Sequence, residues 1–139
     1  MRVGDLKYLM AYIIPLSGYV AVWQGGRLAS LTIVIAFGVI PLIEFFVAKS
    51  ELNISRESET DISNAKFFDW LLYLNVPLVY GLVLSFLYKA TSSLAPPLEL
   101  CLMVGSVGIV LGASGINVAH ELGHKPRKLE QLLSKILLL

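Results

Sequence analysis

Four long apolar runs fill this chain and leave little outside them. They extend over about 6–23, 28–48, 67–88 and 98–119, with polar segments at 24–27, 49–66 and 89–97 between them. Each approaches the roughly 20 apolar residues that an α-helix needs to cross the hydrocarbon core of a bilayer. Backbone surrounded by hydrocarbon must satisfy its own N–H and C=O groups, so runs of this kind become helices. Composition agrees, since 56% of the 139 residues are hydrophobic and 15% are charged, against about a quarter charged in a soluble domain. A disordered chain, a collagen-like chain and an ordinary water-soluble globule are thereby excluded. The expected fold class is all-α: a polytopic transmembrane helical bundle of about four spans, forming one membrane-embedded domain over residues 1–139.

The first run follows a basic end, as a signal peptide would, but no small-x-small cleavage site follows Trp23 and three more spans come after it. It is read as a retained helix. With four spans, both termini share a side with the loop between runs two and three. That side collects Arg2, Lys7, Lys49, Arg56, Lys66, Lys125, Arg127, Lys128 and Lys135, nine of the eleven basic residues. Basic residues stay in the cytoplasm, so both termini are expected there, in the cell's inner (plasma) membrane. Tyr8 and Trp23 bracket run one, and Trp70 and Tyr88 bracket run three, as interfacial anchors do. The sequon-like Asn53-Ile54-Ser55 falls in the cytoplasmic loop, where glycosylation does not occur. A net charge of +1 gives no reason to expect nucleic acid, and a single cysteine, Cys101, excludes an intrachain disulfide.

Pro15, Pro41 and Pro77 interrupt the first three runs, and such kinks persist in a bilayer where neighbours satisfy the freed backbone groups. They imply a packed bundle. Gly105, Gly108, Gly112 and Gly115 fall on one narrow arc of the fourth run, which permits close helix contact, read here as packing within the chain.

That same run ends in Asn117-Val118-Ala119-His120-Glu121-Leu122-Gly123-His124-Lys125, which contains both histidines of the chain. Residues four apart on a helix share a face, so both imidazoles can reach one metal ion. With His120 at zero, His124, Asn117 and Glu121 lie at roughly 40°, 60° and 100°, nearly opposite the glycines. A lone histidine here would be an interfacial polar residue. A pair enclosing a glutamate points to metal binding. Glu44, near the cytoplasmic end of run two, stands at a similar depth. It is either an outer acceptor for a histidine N–H or a direct ligand, with a carboxylate snorkelling to the headgroups as the plain alternative. Asp69 is read as an acid favoured at a helix N-terminus.

HExxH has two users. In zinc metalloproteases the histidines bind zinc and the glutamate activates water, which makes a membrane-embedded protease of the site-2 type one alternative. A non-catalytic membrane protein is another. Against the protease stand the charged, helix-breaking Lys125-Pro126-Arg127-Lys128 after the second histidine and the position of the motif behind four spans. The stretch 117–125 resembles the first histidine box of the alkane 1-monooxygenases, members of the membrane-bound non-haem di-iron desaturase and hydroxylase superfamily. Pro41-Leu42-Ile43-Glu44 is similar to a Pro-Leu-Leu-Asp of that family's second helix, with Glu in place of Asp. Asn75-Val76-Pro77 with Tyr80 is similar to its third helix, and Leu132-Leu133-Ser134-Lys135-Ile136 to its next helical segment.

The resemblance covers essentially the whole chain. It implies hydroxylation of the terminal methyl of an alkane drawn from the bilayer, with O₂ activated at a cytoplasmic-side non-haem di-iron centre and electrons supplied by rubredoxin. Imidazole ligands suit such iron. By this resemblance His120 and His124 are iron ligands, Glu121 orients a ligand rather than acting as a protease base, and Asn117 stands behind the ligands. Family members carry further histidine boxes and spans. Two imidazoles cannot hold two irons. The chain is therefore expected to be an N-terminal fragment or truncated product that neither retains iron tightly nor hydroxylates alkanes alone.

Overall fold

The computed structural model describes residues 11–48, 62–92 and 95–139, and these form helices without any strand among them. Helix α1 is Ile13–Gln24. Helix α2, residues 26–48, begins with a 3₁₀ turn at Gly26–Ser30 and carries a π segment at Ile35–Val39 before its last stretch, Ile40–Ala48. Helix α3 is Ile62–Ser92, and α4 is Pro97–Gly123 with a π segment at Leu111–Ile116. A shorter helix, α5, spans Lys128–Leu137.

Three helices are long and apolar enough to cross a membrane: Gly26–Phe46, Asp69–Ser92 and Pro97–Gly123. They correspond to runs two, three and four. Run one appears as the shorter apolar α1, and its beginning, with Tyr8, lies outside the described residues. So do the sequon and the basic residues Arg2, Lys7, Lys49 and Arg56. The chain is a helical membrane bundle whose outer surface is apolar: Phe37, Phe45, Leu84 and Leu98 are all exposed. Trp23, Trp70 and Tyr88 point outward too, as interfacial anchors must, rather than filling the core.

The turn between α1 and α2 follows from Gly25-Gly26. Both have positive φ (62° and 51°), a region costly to residues with a Cβ. A Cβ on Gly25 would also strike the Glu99 carboxylate. The reversal lays α1 against α2, and α3 and α4 pack around α1. Ile14, Val22, Leu82, Val107 and Val110 form the core. At its centre a Cβ on Gly18 would lie 2.7 Å from Val110 Cγ2 and 3.0 Å from Leu82 Cδ2, so only glycine allows this approach.

Polar side chains cross-link the bundle where water is absent. Tyr12 and Tyr19, seven residues apart on α1, donate to the carbonyls of Leu71 (2.5 Å) and Leu78 (2.8 Å), seven apart on α3. Ser106 of α4 donates to the Ala29 carbonyl at 2.6 Å, and Ser17 lies 3.1 Å from Thr32. The prolines behave as packing elements: Pro15 is fully buried, and Pro41 follows a π turn that already widens the helix where its N–H is missing.

The glycine arc of α4 does not act as one seam. Gly105 faces Ile33 and Gly115 faces Val79, while Gly108 and Gly112 are exposed with nothing within 4 Å of a Cβ. Counting 100° per residue assumes an unbroken α-helix. The π segment from Leu111 adds a residue to the turn and rotates the remainder of the helix, histidines included, relative to that count.

Candidate metal centre

The last turn of α4 carries His120, His124 caps its end, and the π segment that ends one turn before His120 sets the direction in which they point. His120 and His124 are both exposed, with their rings edge to face and centroids 4.5 Å apart. Their Nε2 atoms are 3.2 Å from one another. Two imidazole nitrogens bound to one ion at about 2.0–2.1 Å stand no more than about 4.2 Å apart, so this separation fits a shared ion. The donor set fits as well, since neutral imidazole binds iron, zinc and copper. Among the described residues no group of three or more histidine, cysteine, aspartate or glutamate side chains is gathered to hold an ion.

The pair opens onto a groove of about 330 Å³ lined by Ile116, Ala119, Gly123, Ser134 and Leu138 as well as the histidines. Its far wall is α5. The Ser134 hydroxyl donates to the Ala119 carbonyl at 2.6 Å, and Gly123 leaves room for that oxygen, which would sit 3.0 Å from a Cβ there. Glu130 is 2% exposed, and Tyr73 of α3 donates to its carboxylate at 2.5 Å. Tyr80 donates to the Ile136 carbonyl. The chain turns sharply between α4 and α5 at the 125–127 stretch, where the Gln131 amide donates to the Lys125 carbonyl at 3.2 Å.

Lys125 forms an ion pair with Asp69. Asp69 therefore does not act as a helix N-terminal acid: α3 starts at Ile62, and the carboxylate anchors the segment after the second histidine instead.

The other residues singled out in the sequence are not gathered into the groove. Asn117 is exposed and donates back to the Ala113 carbonyl at 2.8 Å. Glu121 is exposed one residue beyond His120, and Glu44 is exposed on the last stretch of α2. Neither is hydrogen-bonded to a histidine among the described residues. Sequence reasoning missed Ser134, Glu130 and Tyr73. The signal was a buried-type spacing of four between Glu130 and Ser134 on a helix otherwise marked by leucines.

A second, apolar cavity of about 410 Å³ adjoins the groove. Val79, Tyr80 and Val83 of α3 form one side, Leu111, Gly115 and Ile116 of α4 another, and Leu137–Leu139 the end. All three α4 residues belong to the π segment. Wide turns of this kind recur at functional sites in α-helices.

No family model matches the chain, and no solved structure matches it. Curated relatives do. It is 36% identical over 110 residues to alkane 1-monooxygenase 2 of Pseudomonas aeruginosa, covering 78% of this chain and 29% of that protein. It is 26% identical over 137 residues to the alkane 1-monooxygenase of Pseudomonas putida, covering 94% of this chain and 34% of that one. With alkane 1-monooxygenase 1 of Alcanivorax borkumensis the identity is 27% over 128 residues, 91% of this chain and 30% of the other. The chain thus spans about a third of the length of the curated relatives it matches.

Proposed function

We infer that the chain belongs with the alkane 1-monooxygenases and contributes the N-terminal portion of such an enzyme, an oxidoreductase embedded in the membrane. The observation that carries this reading is the histidine pair, its Nε2 atoms 3.2 Å apart at the end of an apolar helix, within a stretch similar to proteins of that name. In the assembled enzyme His120 and His124 hold non-haem iron together with ligands from outside this chain. Iron, when bound, supplies activation of O₂ for inserting one oxygen atom into a terminal C–H bond. The chain's own residues place the imidazoles. Ser134 braces the turn of α4 that bears them, and the Asp69–Lys125 ion pair fixes the segment that follows His124. The substrate is a saturated hydrocarbon that enters from the bilayer, and rubredoxin delivers the electrons. Nine of eleven basic residues fall on the histidine side of the four-span arrangement, which supports a cytoplasmic site in the inner membrane.

A chimera tests this reading. Residues 1–139 replace the matching part of the Pseudomonas putida relative, and the product is assayed for 1-octanol from octane with reduced rubredoxin. Octanol formation that is abolished by His120→Ala and by His124→Ala supports the function. A folded, membrane-inserted chimera that makes no octanol, or one that makes it equally well without either histidine, contradicts it.

A further inference from the structure

The apolar cavity and the histidine groove have two lining residues in common, Ile116 of α4 and Leu138 beyond α5. Those residues stand where one space gives way to the other. The cavity is lined mainly by aliphatic side chains, and the Tyr80 hydroxyl on its wall is bonded to the Ile136 carbonyl. Such a space takes a chain without hydrogen-bonding groups, because a polar ligand would lose its water partners and gain none. The groove, by contrast, presents two imidazole nitrogens and the Ser134 side chain.

Resting on the function proposed above, we propose that Ile116 is a specificity-determining residue whose side chain, together with Leu138, sets how far a saturated chain held in the cavity projects past this boundary toward His120 and His124. Ile116 is 57% exposed, lines both spaces and lies outside the core cluster, so its size can change without repacking the core. It is also the last residue of the π segment. The wide turn that supplies Leu111 and Gly115 to the cavity therefore also places the boundary one turn before His120. Gly115 keeps the cavity open: a Cβ there already reaches ordinary contact with Val79 at 3.8 Å, and a longer side chain would occupy the space.

Photolabelling reads this directly, without turnover. The chain is placed in phosphatidylcholine nanodiscs with a dodecane bearing a terminal aliphatic diazirine, irradiated, and the labelled residues are mapped by mass spectrometry. Label on Val79, Val83 or Leu111 is expected to fall when excess dodecane is added, and to disappear in Gly115→Leu. A single methylene in an apolar pocket changes discrimination by about tenfold, so Ile116→Ala should raise the share of label on residues 119–124 by about that factor, and Ile116→Phe should lower it similarly. An equal share on 119–124 in all three proteins overturns the proposal, as does cavity labelling that dodecane does not compete. The two readings fail separately. An Ile116-dependent labelling pattern with an inactive chimera leaves the boundary and removes the activity, whereas an active chimera with Ile116-independent labelling does the reverse.

Discussion

Around Gly18 three helices meet by close carbon packing with hydroxyl bonds from Ser17 and Tyr19 beside it, whereas around His120 the chain is tied mainly by hydroxyls and charges. In the first region α1 approaches α3 and α4 so closely that Val110 and Leu82 fill the place of a missing Cβ. In the second, Ser134, Glu130 and Lys125 each find a partner on α3 or α4, and the two imidazoles are left unburied. The difference follows from the surroundings. Lipid tails are as apolar as leucine, so helices inside a bilayer associate by close packing and a few internal hydrogen bonds. Near the boundary a short helix such as α5, ten residues long, is too short to be stable by itself. It needs specific polar ties, and those ties hold the far wall of the groove. Close packing dominates the bundle, and polar contacts hold the far wall of the groove.

Substitutions that act on one region and spare the other test this division. The largest effect is expected for Gly18→Leu, which adds four carbons where Val110 and Leu82 already press. Overpacking typically costs about 1–3 kcal/mol and here should reach the top of that range or beyond. Denaturation in mixed micelles followed by the fluorescence of Trp23 and Trp70 would report it, and the loss should be global. Next comes Glu130→Ala, which removes a buried carboxylate and strips the Tyr73 hydroxyl of its acceptor, and should cost about 1–3 kcal/mol. Here hydrogen exchange should quicken across 128–137 and stay unchanged across 13–24. A uniform rise over both helices would break the division. The smallest effect belongs to Lys125→Ala: its ion pair with Asp69 has side chains 18% and 30% exposed, and pairs open to solvent contribute up to about 1 kcal/mol. Exchange should rise only next to the 124–128 turn.

The same division marks what could be read from the amino acids alone. Hydrophobic runs and the Gln24-Gly25-Gly26-Arg27 turn carry local instructions, so the helices and the α1–α2 reversal were legible. The histidine pairing was legible too, because a spacing of four is a local property of any helix. Contacts that join distant segments were not. Asp69 meets Lys125 across 56 residues and Tyr73 meets Glu130 across 57, and no periodicity announces such partners. Nor did the sequence announce the π segment at Leu111–Ile116. It breaks the regular angular count, divides the glycine arc and supplies the cavity wall.

A metal centre at this helix end requires His120 and His124 to act together on one ion, and a metal titration measures that most directly. The chain in nanodiscs is titrated with Co(II), followed by its visible absorption, for the unaltered protein and for His120→Ala and His124→Ala. Losing one of two imidazoles from a shared ion should weaken binding by at least the roughly 10- to 100-fold that loss of an outer partner of a ligand costs, and the two variants should be equally impaired. Wild-type affinity in either variant would contradict a shared ion and, with it, the reading of this helix end as a metal centre.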